Sequence, residues 1–166
     1  MIVRRLIIAL ALGGALLTSA CKPSDAVSAS DAAQGKLPLT IKSASGVHAF
    51  VVELAKTPEQ QEKGLMFRTN IPKDAGMLFA PYPAAGGGPR EASFWMKNTP
   101  SSLDIIFIRA DGTIARIAEN TVPFSETPVP SGEPVAAVLE LNGGRASELG
   151  IGEGDSVSWP GGPKAE

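Results

Sequence analysis

Six side chains in this sequence have the types and spacing to build a binding site: Arg68, Trp95, Lys97, Asn98, Asp104 and Glu140. Four of them fall within Ser93–Ile108, SFWMKNTPSSLDIIFI, two apolar runs joined by a polar turn. Arg68 offers a planar fork for a carboxylate or phosphate. Lys97 adds a point charge and Asn98 adjustable hydrogen bonds. Trp95 offers a stacking face of the kind that sugar rings and cations favour. Asp104 or Glu140 would serve as general base of a hydrolase or lyase if burial raised its pKa. The same residues equally suit an internal brace, with Asp104 paired to Arg68 or Lys97, Asn98 holding a turn and Trp95 in the core. Residue types alone leave pocket and brace both open.

Other chemistries find less support. His48 is the only histidine and Cys21 the only cysteine, so a soft-ligand metal cluster has no ligands and only an oxygen-ligand site remains. No metal or cofactor is expected. Ser, His and Asp all occur, but without a Gly-x-Ser-x-Gly turn, and His48 reads as a half-buried strand residue. Gly86-Gly87-Gly88 lacks the Lys-Ser/Thr that follows a phosphate cradle, which makes it a flexible loop. Met66, Met77 and Met96 carry thioethers that copper accepts, yet each sits among apolar neighbours and is expected in the core.

The elements that must position these residues are short. Leu37–Ser43 and Val47–Ala55 read as strands around Ser45-Gly46. Thr57-Pro58-Glu59-Gln60 opens a short helix: Thr57 as N-cap, Pro58 at the first position and Gln60 completing a capping box. Gly64 is placed to end it in a left-handed turn. Further strands are expected at Met77–Ala80, Ser93–Met96, Leu103–Arg109, Thr113–Ala118, Val135–Leu141 and Asp155–Trp159, with Ala110-Asp111-Gly112 as a hairpin turn. Pro81–Arg90 and the Pro-rich Glu119–Pro134 read as loops, and Asn142–Gly150 as a turn and a short helix. The pattern predicts a mainly β protein, a small antiparallel and partly closed barrel with one or two short helices.

The N-terminus is read apart from the fold. Arg4 and Arg5 precede the apolar run Leu6–Leu17, too short for a bilayer span, which needs about 20 residues, but suited to a signal peptide over residues 1–20. Leu-Thr-Ser-Ala-Cys at 17–21 resembles a bacterial lipobox, so Cys21 is the expected lipidation site and membrane anchor. Simple cleavage after Ala20 is the alternative. Lys22, where Asp would retain an inner-membrane lipoprotein, slightly favours the outer membrane. Residues 21–36 then form a tether, 37–160 one globular domain and 161–166 a disordered tail. Removing Arg4 and Arg5 with the leader takes the net charge from −2 to −4. No basic cluster remains, so nucleic acid is not an expected partner.

Five strings occur in order: Gly64-Leu65-Met66-Phe67-Arg68, Gly76-Met77-Leu78-Phe79, Phe94-Trp95-Met96-Lys97-Asn98-Thr99, Leu103-Asp104-Ile105-Ile106-Phe107-Ile108 and Val138-Leu139-Glu140-Leu141-Asn142, with Gly150 beyond. Together they resemble domain-of-unknown-function family 192 over about Leu39–Trp159. The resemblance implies a compact β-rich domain, often exported, with no established reaction. Many members carry a Cys pair in the loop matching Thr121–Pro134. This chain has none there. The expectation is a lipid-anchored envelope module that binds a small anionic or sugar-like molecule. The alternatives are a carboxylate-dependent hydrolase or lyase, and an assembly protein whose partner docks through Glu119–Pro134.

Overall fold

The computed structural model describes residues 35–163. The expected signal peptide, Cys21, most of the tether and residues 164–166 of the tail lie outside the described residues. In chain order the elements are β1 (Lys36–Ser43), β2 (Gly46–Ala55), α1 (Pro58–Lys63), β3 (Ala75–Phe79), β4 (Arg90–Phe94), β5 (Leu103–Ile108), β6 (Ile114–Ala118), β7 (Val129–Val135), β8 (Ala137–Asn142), α2 (Arg145–Leu149) and β9 (Ser156–Ser158).

Seven strands form one sheet in the order β6-β5-β8-β3-β2-β1-β9. It curls until its edges almost meet. A bridge joins Thr113 to Ser156, and Val157 N donates to Gly112 O at 2.8 Å. Closure of this kind removes exposed edges. The fold is the mainly β, barrel-like one expected, with one difference: the sheet is mixed. β2 and β3 run parallel, Val52 opposite Gly76 and Leu54 opposite Leu78, because α1 carries the chain across between them. α1 forms as its sequence requires, with Thr57 and Gln60 capping reciprocally. Gly64 ends it at φ 48°, but its ψ of −137° lies outside the left-handed helical well expected.

The expected loop at Glu119–Pro134 contains a strand. β7 pairs with β4 in a separate two-stranded sheet, Phe94 opposite Val129 and Glu91 opposite Pro134. Such a two-stranded ribbon has a free edge on each strand, so Pro130 and Pro134 withhold no hydrogen bond that the ladder needs. Strand β4 correspondingly stops at Phe94 rather than running on to Met96.

The core has two layers. One fills the curl of the sheet and includes Leu39, Ile41, Phe50, Val52, Leu78, Ile106, Leu139 and Val157. The other lies between the sheet's outer face and the β4–β7 ribbon, with Leu65, Phe79, Met96, Ile105, Phe107 and Val138. β5 is sandwiched between the layers and buries every residue from Leu103 to Ile108, which is why its sequence reads as an unbroken apolar run after Asp104. Gly76 lets the sheet close up at its centre. A Cβ there would stand 2.1 Å from Glu140 O, the backbone of the neighbouring strand.

Candidate functional site

The six candidate residues do not converge on one cavity. Asp104 is fully buried. Its Oδ1 accepts from Asn120 N (2.9 Å) and Gly144 N (2.8 Å), and its Oδ2 accepts from Ala146 N (2.8 Å). Three backbone donors satisfy the carboxylate, and neither Arg68 nor Lys97 is among its partners. The brace expected for Asp104 is real, but backbone N–H groups occupy it. Two of them open α2, a helix whose own N-cap Gly144 has no side chain to offer, so Asp104 caps it from across the sheet.

Arg68 is held by Glu53 in a fork-to-fork pair of 3.1 and 3.0 Å. It opens on a depression shared with Gly35 and Met77. Lys97 stands over the Trp95 ring, Nζ 5.0 Å from the centroid, a cation–π contact. Asn98 takes φ 55° and turns the chain, while its Nδ2 lies 3.9 Å from Met66 Sδ. Trp95 is 46% exposed, half in solvent rather than in the core. His48 is half-buried in β2, its Nε2 between the hydroxyls of Ser43 (3.1 Å) and Ser45 (3.0 Å). Met77 and Met96 are core residues, as expected, whereas Met66 is half-buried and lines the surface cavities beside α1. No group of three or more His, Cys, Asp or Glu able to hold a metal exists among the described residues.

Glu140 is different. It belongs to β8, between Met77 of β3 and Ile105 of β5, so its side chain enters the outer core layer. Its Oε2 is buried without a hydrogen-bond partner. Burial, unopposed by any donor or cation, pushes its pKa from 4.5 up to about 8, because removal from water penalises the charged form. At neutral pH the group is a carboxylic acid that can donate a hydrogen bond.

That acid lines a cavity of about 380 Å³, together with Phe79, Tyr82, Phe94, Trp95 and residues of α1 and its C-terminal turn. The aromatic wall is a packed set of rings. Phe94 meets Phe79 edge-on at 5.1 Å, an arrangement that favours the pair beyond simple burial, and lies tilted against Tyr82 at 5.7 Å. Gly64 lies against the floor, where a Cβ would approach the Phe79 ring at 3.3 Å and Glu140 Oε2 at 3.8 Å. Gln61 builds the opposite wall. Its Nε2 donates to Ala55 O (3.1 Å) and Pro81 O (2.8 Å), and its Oε1 accepts from Ala84 N (3.0 Å). One amide thus ties α1 to the Pro81–Arg90 loop. Lys63, Arg90 and Ser93 add polar groups to the lining. Sequence reading missed Gln61, Tyr82 and Phe94 as pocket residues. The only signal was Phe94 beside Trp95.

Residues 39–159 match domain-of-unknown-function family 192, described as uncharacterized ACR. The chain belongs to this family. Two crystal structures share the family fold. A protein of unknown function from Novosphingobium aromaticivorans is 48% identical, with a TM-score of 0.70, the match covering 75% of this chain and 85% of that one. A protein from Sinorhizobium meliloti, described as a candidate transcription regulator, is 46% identical with a TM-score of 0.70, covering 76% of this chain and 95% of its own. No curated protein matches.

Proposed function

We propose that this protein is an exported, lipid-anchored binding module whose ligand is a small, neutral, polyhydroxylated ring, a sugar-like envelope component. One observation carries the reading: an unpartnered buried carboxyl, Oε2 of Glu140, at an aromatic-walled cavity of about 380 Å³. An orphaned polar atom of this kind costs stability, which is tolerated where a ligand supplies the partner. A protonated Glu140 donates to a ligand hydroxyl, while Trp95 and Tyr82 pack on the ring's apolar face. An anionic ligand fits less well. The Arg68 fork is taken by Glu53 and opens on a separate depression, away from the cavity that Glu140 lines. Transcription regulation, as described for the Sinorhizobium relative, is not carried over, since the leader-like N-terminus and net charge of −4 after its removal point away from DNA.

The test is a thermal-shift screen against neutral and anionic saccharides. A neutral saccharide should stabilise the wild type, Trp95→Ala should weaken that effect, and binding should fall as pH rises above about 8, where Glu140 ionises. Stabilisation by anions alone, lost on Arg68→Ala, would remove the proposal. A second reading draws on the same carboxyl: a group titrating at about 8 is matched to proton transfer near neutral pH. Incubation of saccharides with wild type and Glu140→Gln, followed by mass spectrometry, decides it. Turnover by wild type alone makes the protein a hydrolase or lyase, and no turnover by either leaves it a binder.

A further inference from the structure

Beside the pocket, three large apolar side chains stand in solvent. Phe67, Val122 and Phe124 are 69%, 70% and 63% exposed. Backbone hydrogen bonds gather them with Trp95 on one surface. Phe67 N donates to Asn98 O (2.8 Å) and Phe124 N to Thr99 O (3.1 Å), so the two phenylalanines flank consecutive residues. Ser125 N donates to Val122 O (3.2 Å), and Ser125 O accepts from Met96 N (2.8 Å), next to Trp95. Phe67 and Phe124 take φ values of 64° and 60°, a region bulky residues rarely adopt. The fold therefore displays both rings against their local preference, as happens at functional surfaces.

We propose that this face rests on a lipid bilayer, with Phe67, Val122 and Phe124 entering the acyl boundary and Trp95 lying at headgroup level. The occupant follows from where the chain enters the fold. Lys36 pairs with Glu53, Glu53 grips Arg68, and Gly35 and Arg68 line one depression. The fourteen residues between Cys21 and Lys36 thus leave the domain beside Phe67. A linker of that length spans roughly 20 Å on average and up to about 50 Å when stretched, so the adjoining face lies within reach of the membrane holding Cys21. This step rests on the anchor in the proposed function. The apolar residues sit in turns and coil outside every strand, so they present a peptide with no strand edge of their own. Around Trp95 the charges are of both signs, Glu59 and Glu62 with Lys63 and Lys97. Contact is therefore apolar rather than electrostatic.

Flotation with phosphatidylcholine vesicles tests it, using the chain after signal-peptide cleavage and carrying Cys21→Ser, so that no acyl group contributes. The protein should float with the vesicles, and high salt should not release it. Phe67→Ser and Phe124→Ser should each lower partitioning roughly tenfold. Both side chains are exposed, so the variants stay folded, which near-UV circular dichroism verifies. Equal flotation of wild type and double variant, or none by either, overturns the proposal. A concentration-dependent dimer in sedimentation velocity that the double variant loses also overturns it, in favour of a second copy. Capture of a protein ligand through the same phenylalanines without vesicle binding does so as well. Mass spectrometry of Cys21 in the exported protein separates this outcome from the anchor: an unmodified thiol defeats the anchor whatever the vesicles show.

Discussion

Replacing Glu140 by Gln should abolish a pH dependence of stability that the wild-type chain carries. Burial raises the carboxyl from 4.5 to about 8, and Oε2 has no partner to stabilise the charged form. Below about pH 4.5 the group is protonated in folded and unfolded chains alike, and the two states do not differ. Between there and about pH 8 the unfolded chain has released the proton while the folded chain retains it. Rising pH therefore favours unfolding, by about 1.4 kcal/mol per pH unit. Wild type should lose roughly 3 kcal/mol by neutral pH through this one group, approaching a ceiling of roughly 5 kcal/mol above pH 8. Set against a usual total of about 5–15 kcal/mol, that is a large share. Gln keeps the shape and removes the titration. Urea denaturation of both proteins across about pH 5–8 measures it, since the contributions of all other carboxylates cancel in the difference. The Gln variant should gain on wild type steadily as pH rises. A stability difference that stays constant over that range would refute the reasoning, because it would mean the carboxyl is ionised in place and solvated through the cavity.

Asp104→Ala should cost about 3 kcal/mol by denaturation, since it strands three backbone donors, one buried and two part-buried, and Asp104→Asn, which keeps one acceptor, should cost less. Gly76→Ala should cost about 3 kcal/mol or more, the added Cβ pressing on the Glu140 backbone and the Leu141 side chain of β8. Arg68→Ala should cost under about 1 kcal/mol, because its pair with Glu53 is half-exposed, and should leave saccharide binding unchanged in the thermal-shift assay. Gln61→Ala should speed amide hydrogen exchange in residues 81–90, whose attachment to α1 runs through that side chain.

Local signals in the chain were strong where the physics is local. The capping box at Thr57–Gln60, the Asp-Gly hairpin and the apolar run after Asp104 each determine their element through contacts a few residues apart. The first hairpin turn, by contrast, falls at Ala44-Ser45, one residue before the expected Ser45-Gly46, with Gly46 already in β2. The β7 strand was hidden because its prolines read as a breaker, and only an edge position in the ribbon excuses them. Pairing of β2 with β3 in parallel was equally invisible, since it depends on how α1 packs.

By itself the sequence determined that the domain is mainly β, that it closes on itself, that it belongs to family 192 and that a few polar residues stand among apolar ones. Tertiary structure alone decided what those polar residues do. Asp104 and Glu140 are carboxylates in similar apolar strings, yet one meets three N–H donors from distant segments and the other meets none. The difference lies in partners 16 to 42 residues away from Asp104 and in a cavity assembled from α1, a proline-rich loop and three strands. No local pattern encodes such an environment, because the energy of a buried charge depends on the groups around it in space rather than on its neighbours in the chain.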